Sequence, residues 1–211
     1  MTETEAREWL SGIGVSRETM DRLGVFITIL TNEMQHQNLI AVSTVPTIWN
    51  RHIVDSAQLL PLAGASVQNW LDLGSGAGLP GLIIALLNPV LRVTLVESRR
   101  KRIDFLERAA EALGLAEQVT VVGSRLEMIE TRPFDVISAR AFAPLERLLP
   151  LAHRFSTTNT RWLLPKGQSA ASELAAARGS WQGDFQVVPS VTDPGAAIIV
   201  AEQIQPKGRR R

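Results

Sequence analysis

The stretch Leu71-Asp72-Leu73-Gly74-Ser75-Gly76-Ala77-Gly78-Leu79 runs an apolar segment straight into a turn with glycine at every second position, and Leu79–Leu87 then reads as a helix. A chain that turns sharply and brings its backbone close to a ligand has no room for Cβ atoms, so strand, glycine turn and helix in succession imply a βαβ unit with a ligand at the strand end. The helix N-terminus contributes free N–H groups and a positive dipole end, which suit a carboxylate or a phosphate.

Short apolar runs recur downstream at Val93–Val96, Val119–Val122, Phe134–Ser138, Trp162–Leu164, Phe185–Val188 and Ala196–Ala201, following Trp70–Leu73. Helical patterns separate the first five, most clearly Leu79–Leu87 and Lys101–Leu113, the latter closed by Gly114 at a C′ position. This alternation implies a parallel sheet. The last two runs are joined by Pro189–Gly195 without a helix, which predicts a terminal antiparallel hairpin. Ala170–Ala177 is alanine-rich and reads as helix.

Residues 1–62 read as a helical extension packed on the core. Met20, Leu23, Ile27, Leu30 and Met34 form one stripe of a helix beginning after Ser16, and Pro46 opens a further helix carrying Trp49 to Leu60. Residues 63–205 form the α/β domain, and 206–211 a basic tail. Hydrophobic residues at 45% and charged residues at 20% fit a folded domain rather than a disordered chain.

No apolar run reaches the roughly 18 residues of a membrane span, and the polar N-terminus (Thr2, Glu3, Glu5, Arg7, Glu8) is unlike a signal peptide, so a cytoplasmic address and a monomer are expected. The absence of cysteine excludes disulfides, thiolate metal sites and cysteine nucleophiles. A net charge of +1 does not announce a nucleic-acid partner, although basic residues gather at Arg99-Arg100-Lys101-Arg102 and Lys207–Arg211.

Spacing bears on the ligand. Glycines at 74, 76 and 78 begin two residues after Asp72, the form of S-adenosylmethionine sites, whereas the G-x-G-x-x-G dinucleotide form read from Gly74 meets Leu79 at its sixth position. A frame of Gly76, Gly78 and Gly81 keeps a dinucleotide as the second reading. Glu97 ends the second strand, where a carboxylate accepts hydrogen bonds from ribose hydroxyls and disfavours a 2′-phosphate. Ser124-Arg125-Leu126-Glu127 occupies the loop expected beside an adenine. The fold class is therefore α/β: a Rossmann-like class I S-adenosylmethionine-dependent methyltransferase with a mainly parallel sheet, a C-terminal antiparallel hairpin and an N-terminal helical extension.

Several segments together carry a family resemblance: Gln37-Asn38-Leu39, Arg51–Ser56, Gly74–Gly81, Glu97-Ser98 with Lys101-Arg102 and Phe105-Leu106, Ser124–Glu127, Ser138–Phe142 and Lys166-Gly167-Gln168. The chain resembles the RsmG/GidB family, methyltransferases acting on N7 of a guanine in 16S ribosomal RNA. That resemblance implies cofactor contacts from Gly74 and Leu79, within the turn that also holds Gly76 and Gly78, and from the backbone at Leu126 and Glu127. It further implies contacts from Arg140 and, to the ribose, from Glu97. The chain departs from the family pattern at Ile40 and in the extra residue before Arg140.

Guanine N7 has a lone pair and no proton, so transfer to it needs positioning rather than a general base, and no catalytic residue or metal is expected. Methylation of cytosine C5 would need a cysteine, and methylation of an exocyclic amine usually goes with an Asn/Asp-Pro-Pro-aromatic motif, where this chain has Ser138-Ala139-Arg140-Ala141-Phe142-Ala143-Pro144. Arg140 is expected to face cofactor and base, with Arg51, His52 and Lys166 on the RNA side, because ligands bind beyond the carboxyl ends of such strands and Arg and Lys serve guanine and phosphate. For His52 the other reading is a core histidine paired with Asp55. The basic tail is either an RNA contact or a solubilising end. Competing functions are a methyltransferase for small molecules or proteins with the helical region as a lid, a non-catalytic cofactor-binding subunit, and an NAD-linked oxidoreductase.

Overall fold

In the computed structural model, which describes residues 1–208, the sheet is built from β1 (Asn69–Leu73), β2 (Arg92–Glu97), β3 (Val119–Gly123), β4 (Val136–Ala139), β5 (Arg161–Lys166), β6 (Trp181–Pro189) and β7 (Ala197–Pro206). Its order is β3-β2-β1-β4-β5-β7-β6. The first five strands run parallel, and β7 lies antiparallel between β5 and β6. The order reverses between β1 and β4, so the crevice beyond their carboxyl ends is where a ligand fits an open sheet of this kind. Both strands are buried along nearly their whole length, as expected of parallel strands covered on two faces.

The N-terminal region holds α1 (Glu3–Gly12), α2 (Arg17–Glu33), α3 (Asp55–Ala57) and α4 (Leu60–Ala63). Ser16 caps α2, its hydroxyl accepting from the Thr19 N–H, so the helix begins where the sequence indicates. The buried line of α2 is Leu23, Phe26 and Leu30, with Met20, Ile27 and Met34 at its margins. These side chains share one core with Leu82 and Ile83 of α5 (Gly81–Leu87) and with Phe105 and Leu106 of α6 (Arg100–Ala112). Arg22 ties α2 to the end of α6 by donating to the Leu113 carbonyl at 2.5 Å. On the other sheet face, α7 (Leu145–Ala152) and α8 (Ala170–Ala177) bury Leu145, Leu148, Leu149 and Leu174 against Leu73, Ile137 and Trp162.

One expected helix takes another form. Pro46 lies inside a 3₁₀ segment, Val42–Thr47, and Trp49–Val54 is wound as a π-helix before α3, so no single α-helix runs from Pro46 to Leu60. The carboxylate of Glu3 in α1 accepts from the backbone N–H groups of Trp49 and Asn50 at 3.2 and 3.3 Å, fixing the start of the π-helix from outside it. Between β3 and β4 the connection carries only a 3₁₀ turn, Leu126–Met128. Gly114 follows α6 with φ +64°, in the αL conformation that ends helices. Of the basic tail, Lys207 donates from Nζ to the Arg178 carbonyl at 2.5 Å, and Arg209 to Arg211 lie outside the described residues.

Candidate active site

The glycine turn leaves β1 through three left-handed residues, Gly74, Gly76 and Gly78, at φ +65°, +54° and +80°. Gly74 is restricted twice over, because a methyl group built on it would also overlap the ring edge of Phe142. Gly81 has a different reason to be glycine: a Cβ there would overlap Leu95 and come within 3.0 Å of the Asp72 carboxylate. Backbone bonds set the turn, with Ser75 N–H donating to the Val96 carbonyl at 3.1 Å and Gly78 N–H to the Ser75 carbonyl at 2.7 Å.

Two carboxylates hold this turn. Glu97, at the end of β2, accepts from Gly76 N–H at 3.1 Å through Oε2 and from Ser98 and Arg99 N–H at 2.7 and 2.9 Å through Oε1, with Arg102 3.7 Å away. Asp72 is fully buried beneath it. Trp70 Nε1 donates to Ser138 Oγ at 2.8 Å, and Ser138 donates to Asp72 Oδ1 at 2.7 Å. Asp72 and Ser138 are register partners on β1 and β4, which puts both side chains on one sheet face together with Trp70 two residues back. Burial pushes the Asp72 carboxyl up to about 6, against the opposing hydrogen bonds from Ser138, Ser75 and Gly81 and the charge of Arg140.

A cavity of about 780 Å³ opens at this point, in the size range of small-molecule sites. The turn residues Gly74, Gly76 and Leu79 line it, as do Arg140, Arg51, His52 and Lys166, so the structure brings these seven predicted residues to one wall or another of the same space. Gly78 packs inward against Leu82 and Leu106. Leu126 is buried among Leu73, Val96 and Phe134, and Glu127 is exposed; neither these two nor Glu97 forms part of the cavity lining.

The cations at the mouth are already paired. Arg140, just past β4, reaches across the cavity to the N-terminal segment: Nη1 bonds to Asp55 Oδ2 at 3.3 Å, to His52 Nδ1 at 3.2 Å and to the Arg51 carbonyl at 3.4 Å. Since that guanidinium only donates, His52 Nδ1 is the acceptor, and its proton sits on Nε2, 2.7 Å from Thr44 Oγ1. Burial, then the charges of Arg140 and Arg51, lower the His52 pKa to about 3. Its partners are thus Thr44 and Arg140 rather than Asp55. Asp55 instead receives Thr192 Oγ1 at 3.1 Å and Gln58 Nε2 at 3.0 Å. Arg51 pairs with Asp193 at 2.8 Å, and the Gly195 N–H and Arg51 together hold the Asp193 carboxyl below its ordinary value. Lys166 donates to the Ala143 carbonyl at 3.0 Å and pairs with Glu173 at 2.8 Å, so its ammonium braces the loop after β4. Asp55 stood in a segment already marked by the sequence, and Glu173 is a lone acid in an alanine-rich helix; Thr192 and Asp193 carried no sequence signal.

Among the described residues no group of three or more His, Cys, Asp or Glu is placed to hold a metal, and no helix is long and apolar enough to cross a membrane. The family model GidB, described as rRNA small subunit methyltransferase G, matches residues 19–197. The chain belongs to the GidB family. A GidB relative named ribosomal RNA small subunit methyltransferase G from Rhizorhabdus wittichii is 65% identical over 210 residues, covering 99% of this chain and 96% of the relative. One of the same name from Zymomonas mobilis is 57% identical over 219 residues, covering 100% and 98%. Among solved structures, an O-methyltransferase from Bacillus cereus in complex with SAH aligns with a TM-score of 0.60 at 14% identity, covering 92% of this chain and 96% of that one. A SAM-dependent methyltransferase from Aquifex aeolicus aligns at 0.58 with 15% identity, covering 75% and 93%. At such identities the likeness is one of fold.

Proposed function

We propose that this GidB chain methylates N7 of a guanine in 16S ribosomal RNA, using S-adenosylmethionine. The observation that carries the reading is the cavity beyond β1 and β4, walled by the glycine turn and Arg140, in a chain belonging to a ribosomal RNA methyltransferase family. The site fits the cofactor. Gly74 is left-handed and presents bare backbone to the cavity, and Glu97 is ordered by three N–H groups at the turn. Those bonds use three of roughly four lone-pair positions on a carboxylate that also faces Arg102 and stands behind the cavity wall, so the proposed ribose contact rests on one remaining position next to Gly76. Gly74, Gly76, Gly78, Leu79, Leu126, Glu127 and Arg140 would complete the cofactor site, with Arg51, His52 and Lys166 towards RNA. When bound, the cofactor supplies a methyl group on a positively charged sulfur.

The residues of the chain then have positioning to do and no proton to take. His52 has its Nδ1 lone pair occupied by Arg140 and is too weak a base to act near neutral pH. N7 needs none, because it attacks through a free lone pair. In this reading the helical residues 1–62 are an extension fastened to the methyltransferase domain of residues 63–205 by the Arg140–Asp55 and Arg51–Asp193 pairs, and the protein works as a cytoplasmic monomer.

Incubation with methyl-labelled S-adenosylmethionine and small ribosomal subunits from a strain lacking this gene tests the proposal. Label in 16S RNA at an N7-methylguanine is expected; label confined to protein or small molecules would overturn it. The Arg140→Ala variant is expected to lower methyl transfer at least about tenfold, and unchanged cofactor binding and methylation would remove Arg140 from the site.

A further inference from the structure

Of the phenylalanines, Phe26, Phe105, Phe134 and Phe155 are buried, whereas Phe142 is 37% exposed and stands in the wall of the cavity. Among the described residues it joins no aromatic pair and no cation–π contact. Its placement is built. The residue before it, Ala141, has φ +51°, a left-handed conformation that non-glycine residues adopt at a cost and that gathers at functional sites. This turn sends Arg140 towards His52 and Asp55 and returns Phe142 over Gly74, with its Cγ–Cδ2–Cε2 edge against the glycine turn. An aromatic ring held beside the glycine turn, and left partly open to water, lacks a partner for its remaining surface.

We infer that Phe142 is the stacking platform for the target base, a purine drawn out of the RNA and laid on the open part of the ring; this rests on the ribosomal RNA reading above. Bases removed from a stack are recovered by aromatic side chains, and the stacking is worth about 5- to 160-fold in affinity for each base. The platform sits where the chemistry requires it, because the ring touches Gly74 of the same turn proposed to carry the methyl donor. Its flatness, rather than its bulk, is what the base uses.

The test compares Phe142→Ala, Phe142→Leu, Phe142→Tyr and Phe142→Trp in the full chain. It reads kcat and KM for small ribosomal subunits from the strain lacking the gene, the Kd of S-adenosylhomocysteine by calorimetry, and thermal melting. The Ala and Leu variants are expected to lose about 10- to 100-fold in kcat/KM, while Tyr and Trp stay within about threefold of wild type and all four keep the S-adenosylhomocysteine Kd within about twofold. A Leu variant as active as wild type makes Phe142 a space-filler and overturns the inference, and a parallel loss of S-adenosylhomocysteine binding makes it a wall of the cofactor site and overturns it equally. The Leu and Trp pair decides even if the Ala variant fails to fold. Wild-type protein that leaves the RNA unlabelled overturns the function proposed above together with this inference, whereas an active wild type with an unimpaired Leu variant overturns this inference alone.

Discussion

Arg140 and His52, 88 positions apart in the chain, meet at 3.2 Å, and burial together with the guanidinium keeps the imidazole neutral. A second proton on His52 would face Arg140 directly. The folded-state pKa of about 3 lies below the ordinary 6.5, so between those values the unfolded chain binds a proton that the native protein refuses. Stability therefore rises with pH across this window and is lost as pH falls from about 6.5 towards 3, by at most about 1.4 kcal/mol per pH unit. The His52→Gln variant is expected to unfold with a flatter pH dependence between pH 4 and 6.5 in urea titrations. An unchanged slope would mean that His52 does not sit neutral against Arg140.

Asp72 works in the opposite direction. Its folded-state pKa of about 6 exceeds the ordinary 3.8, so the native protein holds a proton that the unfolded chain releases, and stability falls as pH rises from about 4 to 6. The two groups partly cancel over that range. Replacing Asp72 by Asn removes the falling contribution, and the variant is expected to gain stability with pH more steeply than wild type between pH 4 and 6. A slope equal to that of wild type would refute a raised Asp72.

The central parallel strands were legible because they are buried on both faces and read as mostly apolar runs, Val93–Val96 and Trp162–Leu164 among them. Trp49–Val54 was not legible as a π-helix. Its contacts are long-range, with Glu3 at its start and with the Thr192–Asp193 loop, and neither leaves a mark in the local periodicity. The same holds for the site. Arg51, His52 and Arg140, named from the sequence, line one cavity, but the carboxylates that pair with the two arginines stand at distant positions, Asp193 for Arg51 and Asp55 for Arg140, and no local pattern announces those pairings. Phe142 lay in a marked motif, yet only the left-handed turn at Ala141 shows that its ring faces the cavity.

The glycines separate ligand contact from packing. Gly81→Ala places a methyl against Leu95 and Asp72 beneath the turn, so it is expected to cost about 1–3 kcal/mol of stability through overpacking while folded protein still binds S-adenosylhomocysteine. Gly74→Ala forces an L side chain into φ +65° and into Phe142, at the cavity wall itself. It is expected to weaken S-adenosylhomocysteine binding at least tenfold in addition to lowering the melting temperature. Calorimetry and thermal melts on the two variants distinguish these effects, and an unaltered Kd in Gly74→Ala would take Gly74 away from the cofactor.

The first turn of α6 carries Arg100, Lys101 and Arg102 and no acidic residue, against the preference for negative charge at a helix N-terminus. Arg100 is balanced by Asp104 and Arg102 by Glu97, but Arg99 and Lys101 are exposed and have no carboxylate partner among the described residues. On the ribosomal RNA reading proposed above, these two exposed cations, which precede the cavity-lining Arg102, would meet phosphates of the bound RNA. Phosphate contacts release counterions, so each one lost removes about 0.7–0.9 from the slope of log K against log salt. The Arg99→Ala/Lys101→Ala double variant is therefore expected to bind small ribosomal subunits more weakly at low salt and with a slope reduced by about 1.5, while its affinity for S-adenosylhomocysteine is unchanged. A slope identical to that of wild type would place the RNA on another face of the molecule.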